Sequence, residues 1–408
     1  MGDRSHKRIL IYSHDTFGLG HLRRCRAIAH ALVDADQSLS VLILSGSPII
    51  GSFDFRSRVD FVRIPGVIKL RNGEYTSLSL HIDIEETLAM RSSIIRHTAD
   101  IFDPDILIVD KEPLGLRGEV RPTLDLLRAR GTALVLGLRD VMDDPTALES
   151  EWERKNVVPA LSRYYDEIWI YGLPQICDPL AGLQLPPSVR HRMVYTGYLR
   201  RHIPAGAGAA SPPADVPDDA FLLVTGGGGG DGEGLVDWVL AAYEHDPGGL
   251  PPVLLVFGPF MQADHQAAFT ARAARLPKVR TLTFDTRLES LMARAAGVVA
   301  MGGYNTFCEI LSFDKPALIV PRTTPRLEQY IRARRAAELG LVAVLPDSDG
   351  RDPRTMAAAL LQLRQQPPPS AVVVPGLLDG MASVNRLARK WLDRGGSRAL
   401  RLRAGPGG

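Results

Sequence analysis

The sequence predicts an α/β protein with two Rossmann-like, doubly wound parallel-sheet domains. Short β-rich runs alternate with longer segments of helical periodicity along most of the chain. This alternation is interrupted by a stretch at 203–219 that is rich in Pro, Ala, Gly and Asp. Each half opens with a strand, a glycine-rich turn and a helix. The chain has 408 residues, of which 45% are apolar and 23% charged, which is enough for two sizeable cores.

The first half contains short runs with the composition of β-strands. They lie at 8–13, 40–45, 60–64, 105–109, 132–136, 167–171 and 193–196. Between the first two runs, apolar residues recur at spacings of three and four, which predicts an amphipathic helix with Arg23, Arg24 and Arg26 on its other faces. We therefore expect an N-terminal domain over residues 1–202 and an interdomain linker over 203–219.

The second half repeats the same alternation. Its predicted strands lie at 221–225, 253–257, 279–284, 298–301, 317–320 and 342–345. They predict a C-terminal domain over 220–370. After a Pro-rich break, 371–394 is expected to contain a helix that packs back on the N-terminal domain. Residues 395–408 are expected to form a disordered tail, because Gly, Arg and Pro offer no apolar face.

Charge and cysteine content exclude several classes of function. The 48 Lys and Arg residues nearly balance the 46 Asp and Glu residues, so a concentrated basic face for nucleic acid is not indicated. Cys25, Cys177 and Cys308 are far apart and predict neither a disulfide framework nor a zinc site. The first apolar run is too short for a signal peptide, and no apolar stretch approaches about 18 residues. We expect a cytoplasmic protein, which leaves peripheral membrane contact open.

The first glycine turn places a histidine after the first strand. Gly18 and Gly20 precede His21, but Arg23 replaces the third glycine of a dinucleotide-binding motif and no acid ends the second strand. Close backbone approach at the two glycines would instead let a ligand reach His21, a candidate base. Asp110 ends a later strand at the same sheet edge and could orient the imidazole. A solvated histidine and an aspartate bound to its own backbone remain alternatives.

Glycines also follow the first strand of the second half. Five of them occupy 226–230, and their backbone N–H groups could close around phosphate oxygens. No Gly-Lys-Ser/Thr follows, which excludes a Walker nucleoside-triphosphate site. A flexible loop without a ligand is the alternative.

The segment after the predicted strand 298–301 is the most informative. Gly303, Asn305 and Thr306 open a helix whose N-terminus could hold a phosphate, and Glu309 could accept hydrogen bonds from a ribose diol. The same Thr306-x-x-Glu309 spacing is also that of a capping box, which needs no ligand. The sequence leaves both interpretations open.

Glu328 and Gln329 begin the next helical pattern. Thr324 and Pro325 before them are expected to be the N-cap and first helical position. The carboxylate and amide could bind sugar hydroxyls, or they could be a solvated first-turn pair favoured by the helix dipole. Asp-x-Asp occurs three times, but once before a strand and otherwise after a helix or a late strand, so no metal site is predicted.

Together these motifs resemble the two-domain GT-B glycosyltransferases over about residues 8–392. The resemblance is to the family 28-like branch that contains the peptidoglycan lipid-intermediate N-acetylglucosaminyltransferase. Its strongest part is the donor-binding signature, formed here by 302–306 with Glu309, Pro316, Pro321 and 328–330. The turn before His21 resembles the branch's first glycine loop, where the histidine is the usual base candidate. Asp110 resembles the aspartate that pairs with that histidine in related plant-type sugar transferases.

The resemblance implies an inverting, metal-independent glycosyltransferase with two domains facing across a cleft. The N-terminal domain would bind the acceptor, which could be a lipid, a natural product or a saccharide. The co-substrate would be a nucleotide sugar, a UDP-hexose or UDP-N-acetylhexosamine, with no other cofactor. His21 and Asp110 would be catalytic. The implied donor contacts are Gly18, Gly20, Arg201, Gly227, Gly228, Gly229, Gly303, Asn305, Thr306, Glu309, Glu328 and Gln329.

The sequence departs from the branch at several positions, which include the first glycine loop and Gly228, where the branch has a serine. Arg24 stands where a proline is common, and Glu328 stands where the branch has glutamine, so the donor sugar can differ from N-acetylglucosamine. Two further functions stay open. One is a UDP-sugar 2-epimerase, which needs no acceptor, and the other is a non-catalytic subunit that binds sugar nucleotides.

Overall fold

The computed structural model describes residues 6–14, 19–70, 74–203, 216–217, 219–227, 231–283, 288–347 and 350–403. The chain divides into two compact units. Unit 1 comprises Met1–Pro174, Asp178–Leu199 and Asp379–Gly408, and unit 2 comprises Gln175–Cys177 and Arg200–Leu378. Most of the predicted linker, at 204–215 and 218, lies outside the described residues.

Unit 1 is built around a seven-stranded parallel sheet in the order β3-β2-β1-β6-β7-β8-β9. The strands of unit 1 are β1 (Lys7–Ser13), β2 (Leu39–Ser45), β3 (Val59–Arg63), β4 (Val67–Lys69), β5 (Tyr75–Ser77), β6 (Ile106–Asp110), β7 (Ala133–Arg139), β8 (Glu167–Tyr171) and β9 (Met193–Tyr195). Its helices are α1 (Gly20–Ala35), α2 (Ile84–Phe102), α3 (Arg121–Ala129), α4 (Pro145–Arg154), α5 (Val157–Tyr164), α6 (Pro187–Arg190) and the C-terminal helix described below. The central strands are continuous apolar runs because helices cover both faces of a parallel sheet.

Unit 2 contains a six-stranded parallel sheet in the order β12-β11-β10-β13-β14-β15. Its strands are β10 (Leu222–Thr225), β11 (Val253–Val256), β12 (Val279–Leu282), β13 (Gly297–Ala300), β14 (Ala317–Ile319) and β15 (Ala343–Val344). Its helices are α7 (Glu233–His245), α8 (Ala263–Ala273), α9 (Leu288–Arg294), α10 (Tyr304–Ser312), α11 (Glu328–Glu338) and α12 (Pro353–Leu363). The predicted fold class, two doubly wound parallel α/β sheets, is therefore confirmed.

Both sheets reverse their strand order beside their first strand. The chain moves outward from β1 to β2 and β3 and then returns to β6 on the other side of β1. Unit 2 does the same with β10, β11, β12 and β13. In open α/β sheets such a switch point leaves a crevice at the carboxyl ends of the two central strands, where ligands bind. The residues after β1, β6, β10 and β13 are thus the ones to examine for a site.

The last helix of the chain belongs to unit 1. Helix α13 (Gly380–Arg403) packs against α1, and its Lys390 Nζ lies 2.5 Å from Glu167 Oε1 at the start of β8. The helix continues past residue 394, where the sequence predicted a disordered tail. The reason is that extending an existing helix is much easier than starting one, and residues 397–403 are mostly Arg, Leu and Ala, which favour helix. Residues 404–408 lie outside the described residues.

Strands β4 and β5 form an antiparallel pair that the sequence did not predict. Each is only three residues long, which is too short for an alternating pattern to be recognised. Among the described residues, no helix is long and apolar enough to cross a membrane.

Candidate active site

His21 and Asp110 meet at the carboxyl edge of the unit 1 sheet. His21 is the second residue of α1, and Asp110 is the last residue of β6, beside β1. The Nδ1 atom of His21 lies 2.5 Å from Oδ2 of Asp110. A carboxylate only accepts hydrogen bonds, so we assign the proton of the neutral ring to Nδ1. The other ring nitrogen, Nε2, is then the one with a lone pair to accept a proton.

Arg24 is the third member of this group, and sequence analysis missed it. Its side chain was expected on a face of α1 other than the apolar one, but it is only 2% exposed. Its Nε lies 2.9 Å from Asp110 Oδ1, and its Nη2 lies 2.7 and 2.8 Å from Oδ1 and Oδ2. The same Nη2 lies 3.1 Å from His21 Nδ1. The only available signal was the i, i+3 spacing of His21 and Arg24, which puts both on one side of the first turn.

Burial and charge set the protonation of the group. Burial raises the pKa of Asp110, but the charge of Arg24 and the hydrogen bonds from His21 and Arg24 outweigh it and hold that pKa well below its usual range. Burial lowers the pKa of His21, and Arg24 and Lys111 lower it further. Asp110 opposes them, and the net pKa of His21 is lowered. At neutral pH the group is therefore an ionised carboxylate bound to a neutral imidazole.

A second histidine, His14, follows β1 at the same edge. Its ring centroid lies 5.7 Å from that of His21, and the two rings are edge to face. Burial lowers the pKa of His14 well below its usual value, although Glu112 raises it. His14 borders a cavity of about 280 Å³, which is also lined by Tyr75, Glu112, Pro113, Leu114, Gly115, Leu116, Arg117, Gly118, Arg121, Lys155 and Val157. A single histidine at a strand end has no sequence motif, so it was not predicted.

The glycine turns of both units are only partly described. Gly20 begins α1, whereas Gly18 lies outside the described residues. Gly227 has a φ of +83°, which favours glycine, and a Cβ built there would lie 3.8 Å from Thr306 Oγ1. The turn after β10 therefore lies beside the start of α10. Gly228 and Gly229 lie outside the described residues.

Helix α10 begins at Tyr304 and has Gly303 as its N-cap, with no side-chain cap. Thr306 is therefore inside the helix, and the capping-box interpretation of Thr306 and Glu309 is wrong, because a capping side chain must precede the first helical residue. Glu309 is only 1% exposed, and Asn305 is also buried. These polar side chains lie at the start of a helix whose first N–H groups lack intrahelical partners.

Arg201 lies against this helix. Its Nη2 donates to Asn305 Oδ1 over 2.7 Å, and its backbone N–H donates to Ser312 Oγ over 2.9 Å. A buried guanidinium thus stands at the first turn of α10, where helix N–H groups already favour an anion.

Helix α11 begins at Glu328, later than predicted. Leu327 is its N-cap, so Thr324 and Pro325 lie in the loop before it. Arg322 joins this loop to the helix, because its backbone N–H donates to Gln329 Oε1 over 3.2 Å and its Nη2 donates to Glu328 Oε1 over 3.3 Å. Contacts of this kind between loop and helix are absent from propensity rules for helix starts. Glu328 and Gln329 are both buried rather than solvated.

Two arginines near these residues were not predicted. Arg322 also forms an ion pair with Asp231, the residue after the glycine turn. Arg332 is fully buried, and its Nη1 donates to the Gly302 carbonyl over 2.9 Å. Among the residues that the structure describes, no cluster of His, Cys, Asp or Glu could hold a metal ion.

Residues 221–371 match the glycosyltransferase family 28 C-terminal domain. Unit 2 carries a family 28 glycosyltransferase domain. This domain contains the glycine turn, α10 and α11. The match confirms the prediction of a GT-B glycosyltransferase that resembles family 28.

Other comparisons agree with this assignment. The glycosyltransferase is 26% identical, over 326 residues, to an uncharacterized glycosyltransferase of Methanosarcina acetivorans, a match covering 74% of this chain and 77% of that protein. Its fold is similar to that of Acinetobacter baumannii MurG, with a TM-score of 0.58, 15% identity, and 94% and 99% of the two chains covered. It is also similar to a putative UDP-N-acetylglucosamine 2-epimerase from Listeria monocytogenes, with a TM-score of 0.57, 12% identity, and 94% and 95% covered.

The depressed pKa of Asp110 predicts how an Asp110→Asn variant depends on pH. A group with a lowered folded-state pKa contributes stability above its unfolded pKa, about 4, and this contribution is lost as the pH falls below it. Asp110→Asn leaves Arg24 buried without its anion, so we expect a loss of about 3 kcal/mol at pH 7. Urea unfolding at several pH values should show the gap to the parent narrowing below about pH 4.

The exposed ion pair of Asp34 and Arg56 offers a matched control. Asp34→Asn should change the free energy of unfolding by less than about 1 kcal/mol at pH 7. A gap for Asp110→Asn that is equally large at pH 7 and pH 3 would show that the carboxylate charge does not stabilise this site.

Proposed function

We propose that this glycosyltransferase moves a sugar from a UDP-sugar to an acceptor hydroxyl, with inversion and without a metal ion. The observation that carries the proposal is the imidazole of His21, which is held through Nδ1 by the buried Asp110, itself paired with Arg24, so that Nε2 is left to accept a proton. This arrangement occurs in a chain whose other unit carries a family 28 glycosyltransferase domain.

His21 would act as the general base. Its Nε2 takes the proton of the acceptor hydroxyl while the hydroxyl oxygen attacks the anomeric carbon of the donor sugar. The bond from that carbon to the diphosphate oxygen breaks, and its electron pair leaves with UDP. A single displacement from the opposite face inverts the anomeric centre. The lowered pKa of His21 keeps the ring neutral, and therefore able to accept a proton, at pH 7.

Unit 2 would bind the donor. Arg201, the backbone N–H groups at the start of α10 and the turn at Gly227 would face the diphosphate, since cations and helix N-termini stabilise phosphate charge. Glu309 would accept hydrogen bonds from the ribose hydroxyls. Asn305 and Thr306 occupy the first turn of α10 and would lie beside the phosphates.

Glu328 and Gln329 would bind the sugar hydroxyls. Arg322 contacts both residues and also Asp231, so the three polar groups are held together before any sugar binds. A carboxylate at Glu328 only accepts hydrogen bonds, whereas an amide also donates them. This difference supports a donor sugar other than N-acetylglucosamine.

We further propose that the enzyme acts in the cytoplasm on a lipid, natural-product or saccharide acceptor. A UDP-sugar 2-epimerase is the second candidate, and the fold shared with the Listeria monocytogenes protein favours keeping it. Incubation with UDP-N-acetylglucosamine and with other UDP-sugars, each without an acceptor, separates the two. Glycosyl transfer predicts slow release of UDP to water, whereas epimerisation predicts a new sugar nucleotide. Binding of UDP without turnover of any donor would favour a non-catalytic subunit.

Glu309→Ala should weaken UDP binding by about 1.5 to 3 kcal/mol, the range of hydrogen bonds to a charged group. Isothermal titration calorimetry measures this directly. Glu338→Ala, which removes an exposed glutamate at the end of α11, is the matched control and should leave UDP affinity unchanged. If Glu309→Ala lowers only the unfolding temperature and binds UDP as the parent does, Glu309 does not contact the ribose.

Chelation should leave turnover intact. Because Arg201 and backbone N–H groups would meet the diphosphate charge, donor turnover in excess EDTA should stay within about twofold of the untreated rate, a difference of under about 0.5 kcal/mol in the barrier. Complete loss of activity that Mg²⁺ or Mn²⁺ restores would contradict the proposed mechanism.

A further inference from the structure

The side chain of Arg24 is buried against Asp110, which is not expected of a surface residue of α1. Its guanidinium is buried, and three of its donor-to-acceptor distances to Asp110 are between 2.7 and 2.9 Å. These contacts engage both carboxylate oxygens. The orientation of the carboxylate plane is therefore fixed, as is its distance from α1, because a guanidinium presents its donors in a rigid fork.

The fixed carboxylate determines how the imidazole is held. Asp110 Oδ2 accepts a hydrogen bond from Arg24 Nη2, and the same oxygen lies 2.5 Å from His21 Nδ1. Arg24 Nη2 also lies 3.1 Å from His21 Nδ1, which closes a triangle of three side chains. Both of these nitrogens carry protons, so Asp110 is the acceptor that joins them. Rotation of Asp110 would break its hydrogen bonds to both of the other side chains.

We propose that Arg24 is a positioning residue for catalysis, which holds Asp110 so that it orients His21 with Nε2 toward the acceptor. This rests on the base role proposed for His21. Arg24 has a second consequence for proton transfer. When His21 takes a proton, two cations share one carboxylate, so the proton is released again readily. The carboxylate itself stays ionised, and the proton stops at the imidazole.

Other charged and titratable groups face this triangle. Lys111 and His14 act on the imidazole from the ends of β6 and β1, and Tyr171 at the end of β8 acts on Asp110. Cys25 lies on α1 beside Arg24 and interacts with Tyr171. Arg24 itself is hydrogen-bonded to Asp110 and lies 3.1 Å from His21 Nδ1.

The test is an NMR titration of His21 in the full chain labelled with ¹³C and ¹⁵N histidine, where His21→Gln identifies the resonance. Arg24→Gln removes the charge but keeps one donor for Asp110. In this variant we expect the pKa of His21 to rise by about one unit, the scale of a charge at contact distance. Arg26→Gln is the control, because Arg26 is on the same helix but lies over Phe53. It should leave the pKa of His21 unchanged.

Arg24→Lys keeps the charge but cannot make the forked contact. In this variant the Nδ1–H proton resonance should move upfield from its parent position, because Asp110 is no longer held against the ring. If Arg24→Gln does not fold, Arg24→Lys alone still tests whether Arg24 positions Asp110. If either folded variant shows both the pKa and the Nδ1–H resonance of the parent, and only its unfolding temperature is lowered, Arg24 is a structural tether and the proposal fails.

The titration needs neither donor nor acceptor. An unchanged His21 in the variants therefore overturns the role of Arg24 whatever the reaction is. A shifted His21 in a protein that turns over no sugar nucleotide would support the role of Arg24 in orienting the ring and contradict the proposed function.

Discussion

The buried carboxylate of Asp110 is the constraint on which the unit 1 site depends. An ionised carboxylate at the end of β6 that is 2% exposed must be paired, because a buried charge without partners would be strongly destabilising. Both partners come from the first turn of α1. The need to pair one charge therefore fixes the start of this helix against the switch point of the sheet. As a result, a neutral histidine lies where a ligand would enter.

The site in unit 2 differs, because its groups favour the binding of a negatively charged ligand rather than the pairing of a buried carboxylate. Helix α10 has Gly303 as its N-cap, and this residue makes no side-chain cap hydrogen bond. Gly227 and Gly302 have positive φ angles, which glycine adopts without strain. The buried Arg201 adds a full charge to the same helix end. These features suit an anionic ligand such as a diphosphate.

Sequence predicted the sheets and the meeting of His21 with Asp110 because both follow from strand order. Carboxyl ends of neighbouring parallel strands meet at one edge, so a residue after β1 and one ending β6 must lie close together. Arg24 could not be predicted in the same way. Helical periodicity identifies only the face of α1 that packs on the sheet. Arg24 is buried by a different contact, the one with the end of β6, and the spacing of residues within α1 carries no information about that contact. The start of α11 was also misplaced, since tertiary contacts such as those of Arg322 decide it.

The most direct test of His21 as the general base compares His21→Ala with the parent protein in two assays. One is UDP affinity by calorimetry, and the other is the slow hydrolysis of a UDP-sugar, in which water takes the place of the acceptor. A general base acts in the transition state, so the account predicts that kcat falls by about 10² to 10⁴ while UDP affinity is nearly unchanged. Near-normal turnover would show that another group is the base. Loss of UDP binding would show that His21 belongs to the donor site.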